Sequence, residues 1–217
     1  MTLHLNPLHL NPLHLYTSIL YTSRHHYTIL TSPFIIFLLI LSHTLNMALT
    51  LLPPSQFLLS QYLGLWYQYA STKHFYEPSG SYNTTALYQL ESDGTISVLN
   101  TLFTNGKENT ITGTLLPTST DPNSRVFQVK LNKAFLWIDI TAPYAVQAVA
   151  IDSDGAYQFT VVGSSLDSDS GSVYILSRVQ QPDCSQQQFM LKVVADLGYD
   201  GSKLRFTPQI CAEMPVV

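Results

Sequence analysis

The sequence predicts an all-β protein: an eight-stranded antiparallel up-and-down β-barrel with a C-terminal α-helix and a ninth strand. Three observations predict this fold. Runs of β-forming residues recur from Tyr62 onward at intervals of about ten residues, turn sequences separate them, and one helical pattern follows the strands. Aromatic residues make up 12% of the chain and there are 12 prolines, which suits strands and turns better than a helical bundle. The 217 residues are enough for one such domain and too few for two domains with linkers.

Residues 1–46 differ from the rest of the chain and are predicted to be a low-complexity extension. A Leu-His-Leu-Asn-Pro repeat opens the chain, and Arg24 is the single charged residue before Met47. The apolar run 34–41 follows Arg24, in the order of an export signal or a membrane anchor. Two alternatives stay open: the protein is secreted or membrane-associated if the extension is retained, and cytoplasmic if translation starts at Met47. The remaining divisions are a lead-in segment (47–61), the barrel domain (62–211) and a tail (212–217).

Tight turns decide the predicted topology of the strands. Glycine follows Asp or Asn in three turns, a dipeptide that accepts the positive φ of short hairpins, so that neighbouring strands are expected to be antiparallel. These turns are Asp93-Gly94, Asn105-Gly106 and Asp154-Gly155. Closing eight such strands removes both sheet edges and leaves room inside for one small ligand. The predicted strands are 65–70, 83–90, 95–103, 110–116, 126–131, 144–151, 157–163 and 173–177.

Three later segments complete the prediction. The apolar run 134–140 either lengthens the fifth strand or covers a mouth of the barrel. Ser185 as N-cap, Gln188 three residues later and Gly198 as the stop delimit one helix. Its apolar stripe predicts that it lies against the outside of the barrel; the stripe consists of Phe189, Met190, Val193, Val194 and Leu197. Segment 204–210 is predicted to be a ninth strand that adds to the first.

Charge and motif content exclude several functions. A net charge of −4 argues against nucleic acid as a partner. Two cysteines cannot build a tetrahedral thiolate zinc site, and the histidines of the extension are explained by its repetitive composition, so no metal site is predicted. The acidic run 167–172 fails as a calcium loop because Arg178 stands where the twelfth position requires Glu. No catalytic or cofactor motif occurs, and we expect neither an enzyme nor a cofactor.

Three sequence motifs resemble hallmarks of one family. Gly64-Leu65-Trp66 lies at the first strand, Asp152 keeps the acid of a second motif that has lost its Thr and Tyr, and Arg178 ends the eighth strand. In this order and spacing, residues 62–211 resemble the lipocalin family, in its branch of bacterial lipocalin and apolipoprotein D. The resemblance implies that the Trp66 indole plugs the narrow end of the barrel beneath the Arg178 guanidinium, a structural cation–π contact.

The resemblance also implies a ligand in the barrel interior: a fatty acid, a lysophospholipid or a terpenoid, bound without chemistry. If Trp66 points inward, the alternation of a strand carries Gln68 and Ala70 inward as well. The same alternation and the family pattern add Ala86, Tyr88, Leu90, Val98 and Asn100 to the predicted lumen. The alternatives are a filled barrel that serves as an interaction scaffold and, with less support, a lipocalin-fold enzyme. Peripheral membrane contact stays open, and the sequence does not indicate an oligomeric state.

Comparison with the same family bears on the two cysteines. In some related lipocalins the terminal cysteine pairs with one near the start of the second strand, where Asn83 stands here. The resemblance therefore leaves Cys184 as the internal candidate for a disulfide with Cys211. Two free thiols in a cytosolic protein are the alternative.

Overall fold

The computed structural model describes residues 49–72, 77–135, 138–166 and 171–210. The predictions made for residues 1–48, including the 34–41 segment and the boundary at Met47, lie outside the described residues and stay predictions. Within the described part, no helix is long and apolar enough to cross a membrane.

The described part of the chain forms ten strands and two α-helices, with short 3-10 turns at Pro54–Gln56 and Gly201–Lys203. The helices are α1 (Leu59–Tyr62) and α2 (Cys184–Asp196). The strands are β1 (Thr50–Leu51), β2 (Gly64–Thr72), β3 (Tyr82–Leu90), β4 (Ile96–Thr104), β5 (Lys107–Pro117), β6 (Val126–Phe135), β7 (Ile138–Ile151), β8 (Tyr157–Gly163), β9 (Val173–Ser177) and β10 (Leu204–Phe206).

Strands β2 to β9 close into an eight-stranded antiparallel barrel, which confirms the predicted fold. Each strand pairs with the next along the chain, and β2 pairs with β9 to complete the ring. Asn105 and Gly106 both adopt positive φ, 53° and 74°, as a two-residue type I′ hairpin requires. Two further strands lie on this ring: β1 pairs with β7, and β10 pairs with β2 as predicted for the ninth strand. That strand ends at Phe206, whereas the prediction extended it to residue 210.

The described part of the apolar run 134–140 belongs to the barrel wall. It forms the end of β6 and the start of β7, with Phe135 paired to Ile138 across the hairpin. The prediction that it lengthens the fifth barrel strand is therefore right, and it also begins the sixth. Residues 136–137 lie outside the described residues.

Helix α2 lies on the outside of the barrel, as predicted, but begins two residues earlier. Asp183, not Ser185, is the N-cap: its Oδ1 accepts the N–H of Gln186 at 2.8 Å, and Gln186 Oε1 accepts the N–H of Asp183 at 3.0 Å. The Ser185 hydroxyl instead donates to Asp183 Oδ1, since a carboxylate is the stronger acceptor. Gly198 follows the helix with φ 85°, which confirms the predicted stop. The buried helix residues pack on an outer cluster that includes Ala70, Ala148, Phe159, Val161 and Ile175.

Candidate ligand-binding site

One end of the barrel is closed by Trp66 and the lead-in helix α1. The Trp66 side chain is fully buried, and its Nε1 donates to the backbone oxygen of Tyr62 at 2.8 Å. The Arg178 guanidinium carbon lies 3.7 Å from the centre of the indole, in the predicted cation–π position. The aromatic plug therefore stands where the resemblance placed it.

Arg178 does more than cover the indole. Its guanidinium donates to the backbone oxygens of Leu65 (2.6 Å), Leu63 (2.7 Å), Gln61 (2.8 Å) and Tyr62 (3.1 Å). Burial lowers the pKa of Arg178 to about 10, which still leaves it charged at neutral pH. The arginine thus fastens the last barrel strand to the turn between α1 and β2, a role that the sequence did not reveal.

Gly64 and Asp152 shape the backbone at this closed end. Gly64 has φ 97°, and Arg178 Nη1 lies 3.4 Å from where a Cβ would stand, so that glycine both permits the turn and leaves room for the guanidinium. Asp152 Oδ1 accepts the N–H groups of Asp154 and Ala156, and its Oδ2 accepts from Gln158 Nε2. These contacts fix the turn between β7 and β8 and place the Asp152 carboxylate away from any ligand.

Above the plug lies a cavity of about 390 Å³. It opens at the end of the barrel opposite Trp66, where Glu77, Ser164 and Ser172 lie in the loops that follow β2 and β8. Five predicted lumen residues line it: Gln68, Ala86, Tyr88, Val98 and Asn100. Most of the wall is apolar, and its aliphatic part includes Leu102, Ile111, Val129, Leu131, Val162 and Leu176.

Two predicted lumen residues are wrong. A β-bulge between Gln68 and Ala70 breaks the alternation of β2, so that Ala70 turns outward into the cluster beneath α2. Ser71 then turns inward and is 2% exposed. Leu90 pairs with Ile96 at the end of the β3–β4 hairpin and is 60% exposed, beyond the cavity.

A polar network at the mouth of the cavity is centred on Glu77, which sequence reasoning missed. Glu77 Oε1 accepts from Gln68 Nε2 at 2.7 Å and from Thr84 Oγ1 at 3.3 Å, and Oε2 accepts from Ser71 Oγ at 3.3 Å. Among the described residues that line the cavity, Glu77 is the one formally charged side chain. The rest of the lining therefore offers hydrogen bonds and apolar surface without a cation.

Three tyrosines form a chain of hydroxyl groups at the bottom of the cavity. Tyr62 Oη and Tyr144 Oη lie 2.5 Å apart, and Tyr144 Oη donates to Tyr88 Oη at 2.9 Å. Burial raises the pKa of all three phenols, that of Tyr88 to about 12. The chain keeps its protons throughout the physiological pH range, and its members can only act as neutral donors and acceptors there.

The raised pKa values of these three phenols predict that the protein loses stability in alkali. Each folded-state pKa lies above the unfolded value near 10, so their contribution is complete below about pH 10 and is lost as pH rises through the folded values. For Tyr88 alone the loss accumulates from about pH 10 to beyond pH 12 and totals about 3 kcal/mol, at 1.36 kcal/mol per pKa unit. Urea unfolding between pH 8 and about pH 11 measures the first part of this loss, about 1 kcal/mol from Tyr88, with Tyr88→Phe as the variant of shallower slope. The account fails if every phenolate absorbance appears near pH 10 while the protein remains folded.

The cysteine prediction stays untested. Cys184 is an exposed free cysteine at the first position of α2. Cys211 lies outside the described residues, so that a bond between the two remains a prediction. Within the described ranges, no group of three His, Cys, Asp or Glu side chains could hold a metal ion.

Comparison with known proteins points to one family. The family model of the lipocalin-like domain matches residues 57–209. Temperature-induced lipocalin-1 of Arabidopsis thaliana is 35% identical over 153 residues, which cover 69% of this chain and 77% of the relative. A lipocalin of Acanthamoeba polyphaga mimivirus is 31% identical over 149 residues, which cover 67% of this chain and 81% of that protein.

Solved structures show the same barrel at lower sequence identity. A lobster apocrustacyanin matches with a TM-score of 0.52 and 18% identity, over 70% of this chain and 80% of its own. The cockroach allergen Per a 4 matches with a TM-score of 0.50 and 20% identity, over 70% of this chain and 88% of its own. At this identity the likeness concerns the fold alone.

Proposed function

This chain belongs to the lipocalin family, and on that premise we propose that it binds a small hydrophobic molecule in the barrel cavity and carries or sequesters it unchanged. Lipocalins are known for binding such ligands and are in general not enzymes. The observation that carries the proposal is the cavity itself, which is largely apolar, closed at the Trp66 end and open at the other. A filled barrel that serves only as a scaffold would lack this space.

The size of the cavity supports ligands of modest length. At roughly 30 Å³ for each water-sized group, the 390 Å³ would hold about a dozen non-hydrogen atoms. A small terpenoid or an acyl chain of about ten carbons fits this volume, whereas a longer chain or the head group of a lysophospholipid would extend beyond the mouth. A ten-carbon chain contributes about 8 kcal/mol at ~0.8 kcal/mol per methylene before binding costs are subtracted. Since 1 μM corresponds to about 8 kcal/mol, burial of this chain alone sets the micromolar range as the tightest affinity that it can supply.

Titration of the full chain with a fluorescent fatty acid tests the proposal. We expect a saturable signal that unlabelled fatty acid or terpenoid displaces. Absence of saturable, displaceable binding at micromolar protein would contradict it.

A pair of tryptophan substitutions tests whether the cavity is the binding site. Ile111 lines the cavity and the next residue, Thr112, is exposed on the other face of β5. Ile111→Trp places an indole in the binding space and is expected to weaken binding by about tenfold or more, since it displaces several ligand methylenes. Thr112→Trp adds the same side chain outside the barrel and should leave the dissociation constant unchanged. Equal affinities of the two variants would show that the ligand binds elsewhere.

A further inference from the structure

We propose that the Tyr88 hydroxyl anchors a neutral oxygen, of a carbonyl or hydroxyl group, at the inward end of the ligand. The inference rests on the proposed function and narrows it. The ligand would be an oxygenated hydrophobic molecule, such as an oxygenated terpenoid, that enters the barrel with its oxygen first.

The order of donors in the tyrosine chain leaves the hydrogen of Tyr88 without an acceptor in the described part of the chain. A phenol has one hydrogen, and that of Tyr144 is donated to Tyr88 Oη. The 2.5 Å contact between Tyr62 and Tyr144 is therefore donated by Tyr62. Tyr88 accepts at the end of this chain, and its own hydrogen has no acceptor among the described residues. Each hydroxyl in such a chain polarises the next, which makes the terminal donor stronger.

The unused donor is buried and adjoins the cavity. Tyr88 is 4% exposed and belongs to the cavity lining, between the apolar positions Ala86 and Val98. Tyr62 lies deeper, with its ring centre 5.3 Å from that of Trp66, and does not line the cavity. A buried hydroxyl without an acceptor is unfavourable. A ligand oxygen that accepts this hydrogen would therefore gain more binding free energy than the same oxygen against a wall of aliphatic side chains.

The surroundings of Tyr88 select a neutral oxygen over a carboxylate. No Lys, Arg or His is among the described lining residues. Arg178, at the closed end of the barrel, lies over the indole of Trp66 and donates to four backbone oxygens. A carboxylate brought to the bottom of the cavity would lose its hydration without gaining a counter-ion. A ketone or alcohol carries no charge and therefore needs no counter-ion there.

A matched ligand pair tests the inference on the full chain. We would measure dissociation constants for β-ionone, a terpenoid ketone, and for the hydrocarbon with the same carbon skeleton. The unchanged protein should bind the ketone more tightly. Tyr88→Phe should weaken ketone binding by roughly tenfold, the value of one buried hydrogen bond, and leave hydrocarbon binding unchanged. Tyr67→Phe, which removes a phenol hydroxyl from β2 outside the cavity lining, is the control and should keep the preference.

Infrared spectroscopy gives a second readout on the same ligand. The carbonyl stretch of bound β-ionone should move to lower frequency than in hydrocarbon solvent, and Tyr88→Phe should reverse the shift. Equal effects of Tyr88→Phe on both ligands, or an unshifted carbonyl, would overturn the inference while leaving the proposed function intact. If the unchanged protein bound none of the three ligands, β-ionone, the hydrocarbon and the fatty acid, both the inference and the proposed function would be overturned.

Discussion

Replacing Arg178 by alanine is expected to lower the free energy of unfolding by about 3 kcal/mol. The change removes the donors to the backbone oxygens of Gln61, Tyr62, Leu63 and Leu65, together with the cation–π contact, itself ~0.5–2 kcal/mol. An unsatisfied buried acceptor costs about 1–3 kcal/mol. Gln61 and Leu65 are exposed enough for water to replace the arginine, and the Tyr62 oxygen keeps the N–H of Trp66 Nε1, so the cost of an unsatisfied acceptor arises mainly at Leu63. Urea unfolding followed by tryptophan fluorescence measures it.

The lysine variant separates the two roles of Arg178. Arg178→Lys keeps a cation near the indole but lacks the planar fork that reaches several backbone oxygens, so its stability should lie between those of the parent and the alanine variant. If Arg178→Ala unfolded at the same urea concentration as the parent protein, the fastening role of the guanidinium would be wrong.

The closed topology could be predicted because its determinants are local in the sequence. Asn105-Gly106 adopts the two positive φ angles that its residue types allow, and Gly94 and Gly155 do likewise. Strands that such tight turns join must pair with their neighbours along the chain. The contact between Trp66 and Arg178 came from the family resemblance, since nothing local connects residues on the first and last barrel strands.

Side-chain direction was less predictable where the backbone departs from regularity. The bulge before Ala70 reverses the alternation on which the inward assignment depended, and neither Tyr69 nor its neighbours signal it in the sequence. Leu90 lies too near the hairpin end to be covered. At α2 both Asp183 and Ser185 are suitable caps by residue type, and only the geometry selects the carboxylate.

The polar groups of the candidate site could not be found from local pattern. Tyr62 and Tyr144 are 82 residues apart in sequence, and Tyr144 and Tyr88 are 56 apart. Each phenol alone is an ordinary β-forming aromatic residue. Only barrel closure places the three hydroxyls in one chain. Glu77 contacts Gln68 and Thr84 within the β2–β3 connection, and no sequence motif marks it.

Substituting Met190 by aspartate is expected to destabilise the protein by about 4 kcal/mol or more. Met190 is 1% exposed in the outer cluster, and the loss of its burial contributes about 1.5–3 kcal/mol. The new carboxylate would in addition face Phe159 and Ile175 without a partner. Gln188→Asp, an exposed position on the same helix, is the matched control and should change stability by less than about 0.5 kcal/mol. Circular dichroism during urea unfolding distinguishes the two variants.

The same variant separates stability from binding, because the outer cluster and the cavity lie on opposite faces of one wall. In β8, Val161 packs beneath α2 whereas its neighbour Val162 lines the cavity. The fraction of Met190→Asp that stays folded in dilute buffer should therefore bind the fluorescent fatty acid with the parent dissociation constant. Ile111→Trp should show the reverse: weaker binding and a nearly unchanged free energy of unfolding. If Met190→Asp weakened binding while the barrel remained folded, α2 would have to be coupled to the cavity through the strands between them.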